Sequence, residues 1–189
     1  MSDKISSIIN AVTPVSIKSI GKIRDLIEYL PIKKGDSITR VGRTNTLEYF
    51  MIEGICKTFL YTPEGEEVTI SFFMPLSIIS PSTTRNKEGR SIINIRALTD
   101  VELATINADA FEKLMIEDLE IRHFGNTVLR NELMTKVQKE IGLASLRGKD
   151  RLQLLRETFP NIENLVPHSD IASYLGITTI SLSRLRAQF

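Results

Sequence analysis

The chain has no tryptophan, one cysteine and two histidines, and each scarcity removes a class of chemistry. Cys56 alone allows no intramolecular disulfide, no iron–sulfur cluster on four thiolates and no cysteine-rich zinc site. His123 and His168 are far apart, and residues 1–122 contain no histidine, so the histidine and carboxylate ligands of a cupin-type jelly-roll enzyme are missing. An enzyme is not expected, and neither is a metal or a cofactor. No apolar run approaches the ~20 residues of a membrane helix. The opening MSDKISSIIN also lacks the basic start and long apolar run of a secretory signal. The expectation is a cytoplasmic protein without a membrane partner.

What is present is an ordinary globular composition over 189 residues, 42% apolar and 25% charged, enough for one large domain or a domain with an appendage. The net charge of +1 hides an asymmetry. Residues 1–121 carry 14 Lys+Arg against 17 Asp+Glu, whereas residues 122–189 carry 10 against 6. A basic C-terminal part on an acidic remainder suits a polyanion-binding appendage.

Ile17, Ile20, Ile23, Ile27 and Leu30 recur at helical spacing, which predicts one or two amphipathic helices ending at Pro31. From there to Ile106 the texture is that of strands: residues 37–41, 48–52, 55–61, 68–73, 92–97 and 101–106, separated by glycine turns and by a hairpin loop over Thr62–Glu66. This predicts an antiparallel sandwich, jelly roll or barrel. The polar run Pro81–Arg90 reads as a surface loop. Asn107 is placed to cap a helix that continues without proline to about Leu146, with a break near Glu117 or Gly125. Apolar residues along it, including Phe124, Val128, Leu133 and Val137, form a stripe longer than a small β domain can cover. They are the candidate homodimer interface, the alternative being a helix folded back on its own sheet. A further short helix over residues 150–159 is closed by Pro160.

Residues 168–189 read HSDIASYLGITTISLSRLRAQF. Ser169 is placed to cap a first helix with Ile171, Ala172 and Leu175 inside, Gly176 to end it in the left-handed conformation, and Thr178 to start a second helix with Leu182 and Leu185 inside. An αα-hairpin of a bundle satisfies the same packing rules. The outward residues favour DNA: Thr179, Ser181, Ser183, Arg184, Arg186 and Gln188 are donors for phosphates and base edges, and no acidic residue occurs from Ile171 to Phe189.

Three stretches together resemble the Crp/Fnr family of bacterial transcription regulators: Ile32–Asp36 followed by Tyr49–Gly54, the hairpin Tyr61–Val68, and Asp170–Arg186. The resemblance implies an α+β protein with an N-terminal antiparallel jelly roll related to cyclic-nucleotide-binding domains (residues 1–108). A long dimerisation helix (109–146) and a helix-turn-helix domain (147–189) follow, the last short and winged-helix-like because Phe189 leaves little room for a β wing. It further implies a homodimer on double-stranded DNA with an inverted-repeat site, RNA polymerase as partner if the protein activates, and a small-molecule effector of unknown identity. Ser169, Thr178, Thr179, Ile180, Ser181, Ser183, Arg184, Arg186 and Gln188 are the implied DNA-binding set, with Thr179, Ile180 and Arg184 at the base-reading positions.

The departures matter as much. Members that bind cyclic AMP carry a Gly-Glu pair where Met74–Ile78 stands here, and Arg90-Ser91 matches their Arg-Ser pair only with a one-residue shift. Oxygen-sensing members have N-terminal cysteines, whereas residues 1–55 here have none. An altered sensor pocket is expected. The alternative is an effector-responsive jelly-roll protein whose helical tail docks a protein partner.

Overall fold

In the computed structural model, which describes residues 2–80 and 83–187, two helices open the chain: Ser2–Val12 (α1) and Ile17–Arg24 (α2), the latter capped by the Ser16 hydroxyl accepting the Ser19 N–H at 3.3 Å. The helical spacing does not continue to Leu30. Glu28–Ile32 is a strand (β1) at the outer edge of a sheet, where the missing N–H of Pro31 costs no ladder bond.

Seven more strands follow: Ser37–Thr39 (β2), Leu47–Glu53 (β3), Cys56–Tyr61 (β4), Glu67–Phe73 (β5), Ser77–Ile79 (β6), Asn94–Ala97 (β7) and Val101–Asn107 (β8). They form two four-stranded sheets, ordered β1-β8-β3-β6 and β2-β7-β4-β5, the jelly-roll-like pattern. The ladders β1–β8, β3–β8, β3–β6 and β2–β7 are antiparallel, with Leu30 opposite Leu103 and Phe50 opposite both Ala104 and Ile78. β6, not expected from the sequence, is three residues long and follows a turn in which Leu76 takes φ 64°. Between β3 and β4, Gly54 has φ 86° and a Cβ there would lie 2.3 Å from the Asp100 carbonyl oxygen, so only glycine makes this turn. The Thr62–Glu66 loop closes the β4–β5 hairpin as expected, the Thr62 N–H donating to the Glu66 carbonyl at 2.8 Å.

Helices complete the chain: Ala108–Glu117 (α3), Leu119–Ser145 (α4), Gly148–Thr158 (α5), Ile162–Leu165 (α6), His168–Leu175 (α7) and Thr179–Arg186 (α8). By contacts they and the strands divide into two compact units, residues 1–57 with 72–132 and residues 58–71 with 133–189.

In the first unit, alternate β3 and β8 residues Phe50, Ile52, Ala104 and Ile106 face the helices and meet Ile5, Ile8, Ile9, Ile20, Ile23, Ile121 and Phe124. Each such fully buried aliphatic or aromatic side chain contributes about 1.5–3 kcal/mol. Pro81 and Ser82 lie outside the described residues, and the rest of the polar segment, residues 83–90, is less of a surface loop than its polarity suggests. Thr84 is buried, and Arg85 reaches inward to pair with Glu48, Nη2 to Oε1 at 2.7 Å. Phe124 is 1% exposed, stacked on Phe50 and edge-on to Phe111, and Val128 packs against the same cluster. Phe124 is therefore spent within its own unit and leaves the candidate dimer stripe.

The expected break in the long helix is at Asp118. Its Oδ1 accepts the N–H groups of Glu120 (3.0 Å) and Ile121 (3.3 Å), capping α4, while Oδ2 accepts from Lys22 Nζ (2.7 Å) and Ser19 Oγ (2.8 Å). The Lys22 bond above all brings the Asp118 carboxyl from 3.8 down to about 2. Because the folded state favours the ionised form, this contribution is fully present above about pH 4 and lost as pH falls through 2. Asp118→Ala should cost about 0.5–2 kcal/mol at neutral pH through the lost cap. It should also flatten the acid limb of stability, read by denaturant unfolding at pH 7 and pH 3.

Candidate nucleic-acid interface

α7 and α8 are joined as the sequence pattern requires. Gly176 adopts φ 64° and ψ 38°, its N–H closing α7, and a Cβ there would press to 3.2 Å from Leu143 Cδ2. Ile171, Ala172, Leu175 and Leu182 are buried where the two helices meet their own unit. The start of α7 differs from expectation. Pro167 occupies the cap position and no side chain caps the helix, so Ser169 lies inside the first turn, exposed. Proline before the first helical residue is pre-set in φ and has no N–H to satisfy.

Thr178 does cap α8. Its Oγ1 accepts the Ser181 N–H at 3.1 Å and lies 2.9 Å from Ser181 Oγ, so both hydroxyls are already engaged in starting the helix. Beyond them Thr179, Ile180, Ser183 and Arg184 are exposed, Ile180 at 64%. Gln188 lies outside the described residues. Thr179, Ile180, Ser183 and Arg184 form the open face that the sequence pointed to: hydroxyls, one guanidinium and one apolar side chain.

Arg186 is held in place. Glu163 Oε1 takes its Nε at 2.9 Å, and its Nη1 lies 3.2 Å from His168 Nδ1, while His168 Nε2 reaches the Glu163 carbonyl oxygen at 3.1 Å. Arg156 pairs with the same carboxylate at 2.6 Å. The Arg156 bond holds the Glu163 carboxyl below its usual range, Arg186 acting in the same direction. This cluster ties α5, α6, α7 and α8 together. Part of the Arg186 charge is neutralised, and the guanidinium keeps donors for a further acceptor.

A second set of contacts, absent from the sequence reading, fixes α7 from its other side. Ser173 Oγ accepts the Thr69 N–H at 2.9 Å and donates to the Glu67 carbonyl at 3.3 Å, so the β4–β5 hairpin binds α7 through its backbone. Lys139 Nζ donates to the Ile70 carbonyl and sits 3.8 Å over the Tyr174 ring. Neither contact is local in sequence, and no spacing signals it.

Burial brings the Lys139 ammonium from 10.5 down to about 8, with Lys136 adding repulsion, so the unfolded chain holds this proton more tightly than the folded one. The resulting penalty is full below pH 8 and relieved as pH rises toward 10.5. Stability of the wild type relative to Lys139→Met should therefore increase over that interval. Paired urea titrations below pH 8 and near pH 10 measure the difference, and other groups titrating there cancel between the two proteins.

Residues 29–118 match the family of the cyclic nucleotide-binding domain. The anaerobic regulatory protein of Aggregatibacter actinomycetemcomitans is 22% identical over 170 residues, 84% of this chain and 65% of that protein, so the chain spans just under two thirds of that relative's length. Among solved structures, FixK2 from Bradyrhizobium japonicum superposes with a TM-score of 0.74 at 16% identity, covering 86% of this chain and 83% of its own. A transcriptional regulator of the crp/fnr family from Eubacterium rectale superposes with a TM-score of 0.69 at 19% identity, covering 93% of this chain and 83% of its own. With a segment that matches the cyclic nucleotide-binding domain family, a long helix and the α7–α8 pair in that order, this chain has the fold of the Crp/Fnr transcription regulators.

Proposed function

We propose that this chain is a transcription regulator, not an enzyme, that binds an inverted-repeat operator as a homodimer and reads it with α8. The observation that carries the reading is the open face of α8: Thr179, Ile180, Ser183 and Arg184 stand exposed on a helix capped and anchored from behind. No carboxylate occurs from Ile171 to Phe189. Arg184 is suited to a bidentate contact with guanine, Ile180 to a thymine methyl and Thr179 to a base or phosphate. Arg186, fixed by Glu163, is suited to a backbone phosphate. The functional division remains residues 1–108 for sensing, 109–146 for association and 147–189 for reading.

Selection from a random duplex pool should return an inverted repeat with half-site centres about one helical turn apart. In binding titrations, Arg184→Ala should relax the preference at one base pair per half-site, at a cost of about 1–3 kcal/mol, whereas Arg186→Ala should weaken all sequences alike and reduce the salt slope. If the tail docked a protein partner instead, the pool would yield no enriched sequence, and capture would depend little on salt.

Association is supported by the C-terminal half of α4. Leu133, Val137 and Ile141 recur at i+4 and stand 62%, 40% and 58% exposed, a stripe that an isolated chain leaves in water. Leu133→Asp and Val137→Asp should give monomers that lose operator binding, read by light scattering and by titration. Val128 lies against the sensor core, so a charge there would test folding rather than association.

The sensor pocket departs from the cyclic AMP-binding pattern in its side-chain engagements. Ser91 Oγ is buried and donates to the Ile93 carbonyl at 2.7 Å, Arg90 points outward and donates to the Gly42 carbonyl at 3.0 Å, and Met74–Ile78 stands where the Gly-Glu pair would fall. Neither member of the Arg-Ser pair is poised for a cyclic phosphate. Calorimetric titration of cyclic AMP should therefore show no binding at micromolar concentrations, because the ribose hydroxyl loses its acceptor at a cost of about 1–3 kcal/mol.

A further inference from the structure

The geometry points to a small-molecule site in the first unit, separate from the space between the two sheets, that takes a neutral planar aromatic molecule carrying one hydrogen-bond donor. The site is a cavity of about 280 Å³ between the helix-facing side of β3 and β6 and the helices α3 and α4. Its apolar lining comes from Phe50 and Ile78 on the strands, Phe111 and Met115 on α3, and Phe124 and Val128 on α4. Phe50 belongs to the β3 face that meets the helices, whereas its neighbours Tyr49 and Met51 point the opposite way by strand alternation. The cavity is therefore on the other side of the sheet from the jelly-roll interior.

Its walls are shaped for a flat ring. Phe50 and Phe124 are parallel within 5° at 6.5 Å, and Phe111 stands at 86° to Phe124 at 6.4 Å, making a corner of two aromatic planes. α3 packs against this corner without burying any of its residues completely: Phe111, Leu114 and Met115 stay half-buried. A helix that lays three large apolar residues over a core and seals none of them leaves room for an apolar body. Water there would find few partners along the apolar lining.

The polar end sets the ligand's charge. Arg85 and Glu48 form their 2.7 Å pair at this end, with side chains only 18% and 12% exposed, and Ser80 Oγ lies 3.4 Å from Glu48 Oε2. Arg85 also donates to the Asn45 carbonyl at 3.3 Å. The guanidinium is thus already neutralised, and the exposed Glu112 adds a second carboxylate to the lining. An anion would face two carboxylates and a spent arginine, whereas a neutral O–H or N–H can donate to Glu48 without breaking the pair.

The probe is 2-naphthol, whose fluorescence is readable because the chain has no tryptophan. Titration of the full chain should show saturable 1:1 binding, with a dissociation constant of about 10–100 µM for a ligand of this size. The anion 2-naphthoate should bind at least about tenfold more weakly, since its charge meets Glu48 and Glu112. Ala108→Phe and Ile78→Phe, which fill the cavity from different sides, should each abolish binding while retaining the wild-type circular dichroism, and either suffices if the other does not fold. Four results would each overturn the site: no saturation up to about 1 mM, naphthoate binding as tightly as naphthol, undiminished binding in the filled variants, or displacement of naphthol by low cyclic AMP. None of them bears on whether α8 reads DNA.

Discussion

The helix α4 has to be apolar on two different sides. Its first half turns Ile121, Phe124 and Val128 toward the core of the first unit, while its second half carries Leu133, Val137 and Ile141 in the open. At about 100° per residue the first set and the second lie roughly 180° apart around the helix axis. No single stripe runs the length of its 27 residues. That division separates the apolar residues consumed by packing from those left exposed. It also explains why the cap at Asp118 draws Lys22 and Ser19 as well as the helix amides: the start of α4 is fixed to α2 by charge as well as by apolar burial.

The same division shows where sequence reading succeeds and where it stops. Asn107, the break at Asp118, Gly176 and Thr178 were legible because caps and turns are decided by residues within four of one another. Spacing alone puts Phe124 and Leu133 on different apolar rows, but only the sheet beneath reveals which row is covered. β1 was hidden because Ile27 and Leu30 continue a helical spacing by chance, and because Pro31 ends a helix and tolerates an edge strand equally well. Arg85 was hidden because a polar run gives no sign that one of its charges has a partner 37 residues away at Glu48.

The α7–α8 pair shows the contrast within a single candidate site. Its apolar frame is a local motif, so Ile171, Ala172, Leu175 and Leu182 fall where their spacing places them. The state of its polar residues is decided elsewhere. Arg186 is restrained by Glu163, and Ser181 shares its hydroxyl with the cap, so of the donors named from the sequence Thr179, Ser183 and Arg184 are left most open. A donor's type is written in the sequence, but its availability depends on non-local neighbours.

The chain passes between its two units three times: at the base of the β4–β5 hairpin going out, at its base coming back, and within α4. Two of these passages lie in strands and the third in a helix. The hairpin that leaves on the first passage ends on α7, where the Thr69 and Glu67 backbone groups meet Ser173 and the Ile70 carbonyl meets Lys139. Those bonds cost the protein a half-buried ammonium whose charged form is disfavoured there. A single half-buried cation held by one carbonyl and one ring is a marginal fastening compared with the apolar core behind α7, so the Ser173 bonds to the Thr69 and Glu67 backbone carry the larger part of the hairpin's hold on the helix.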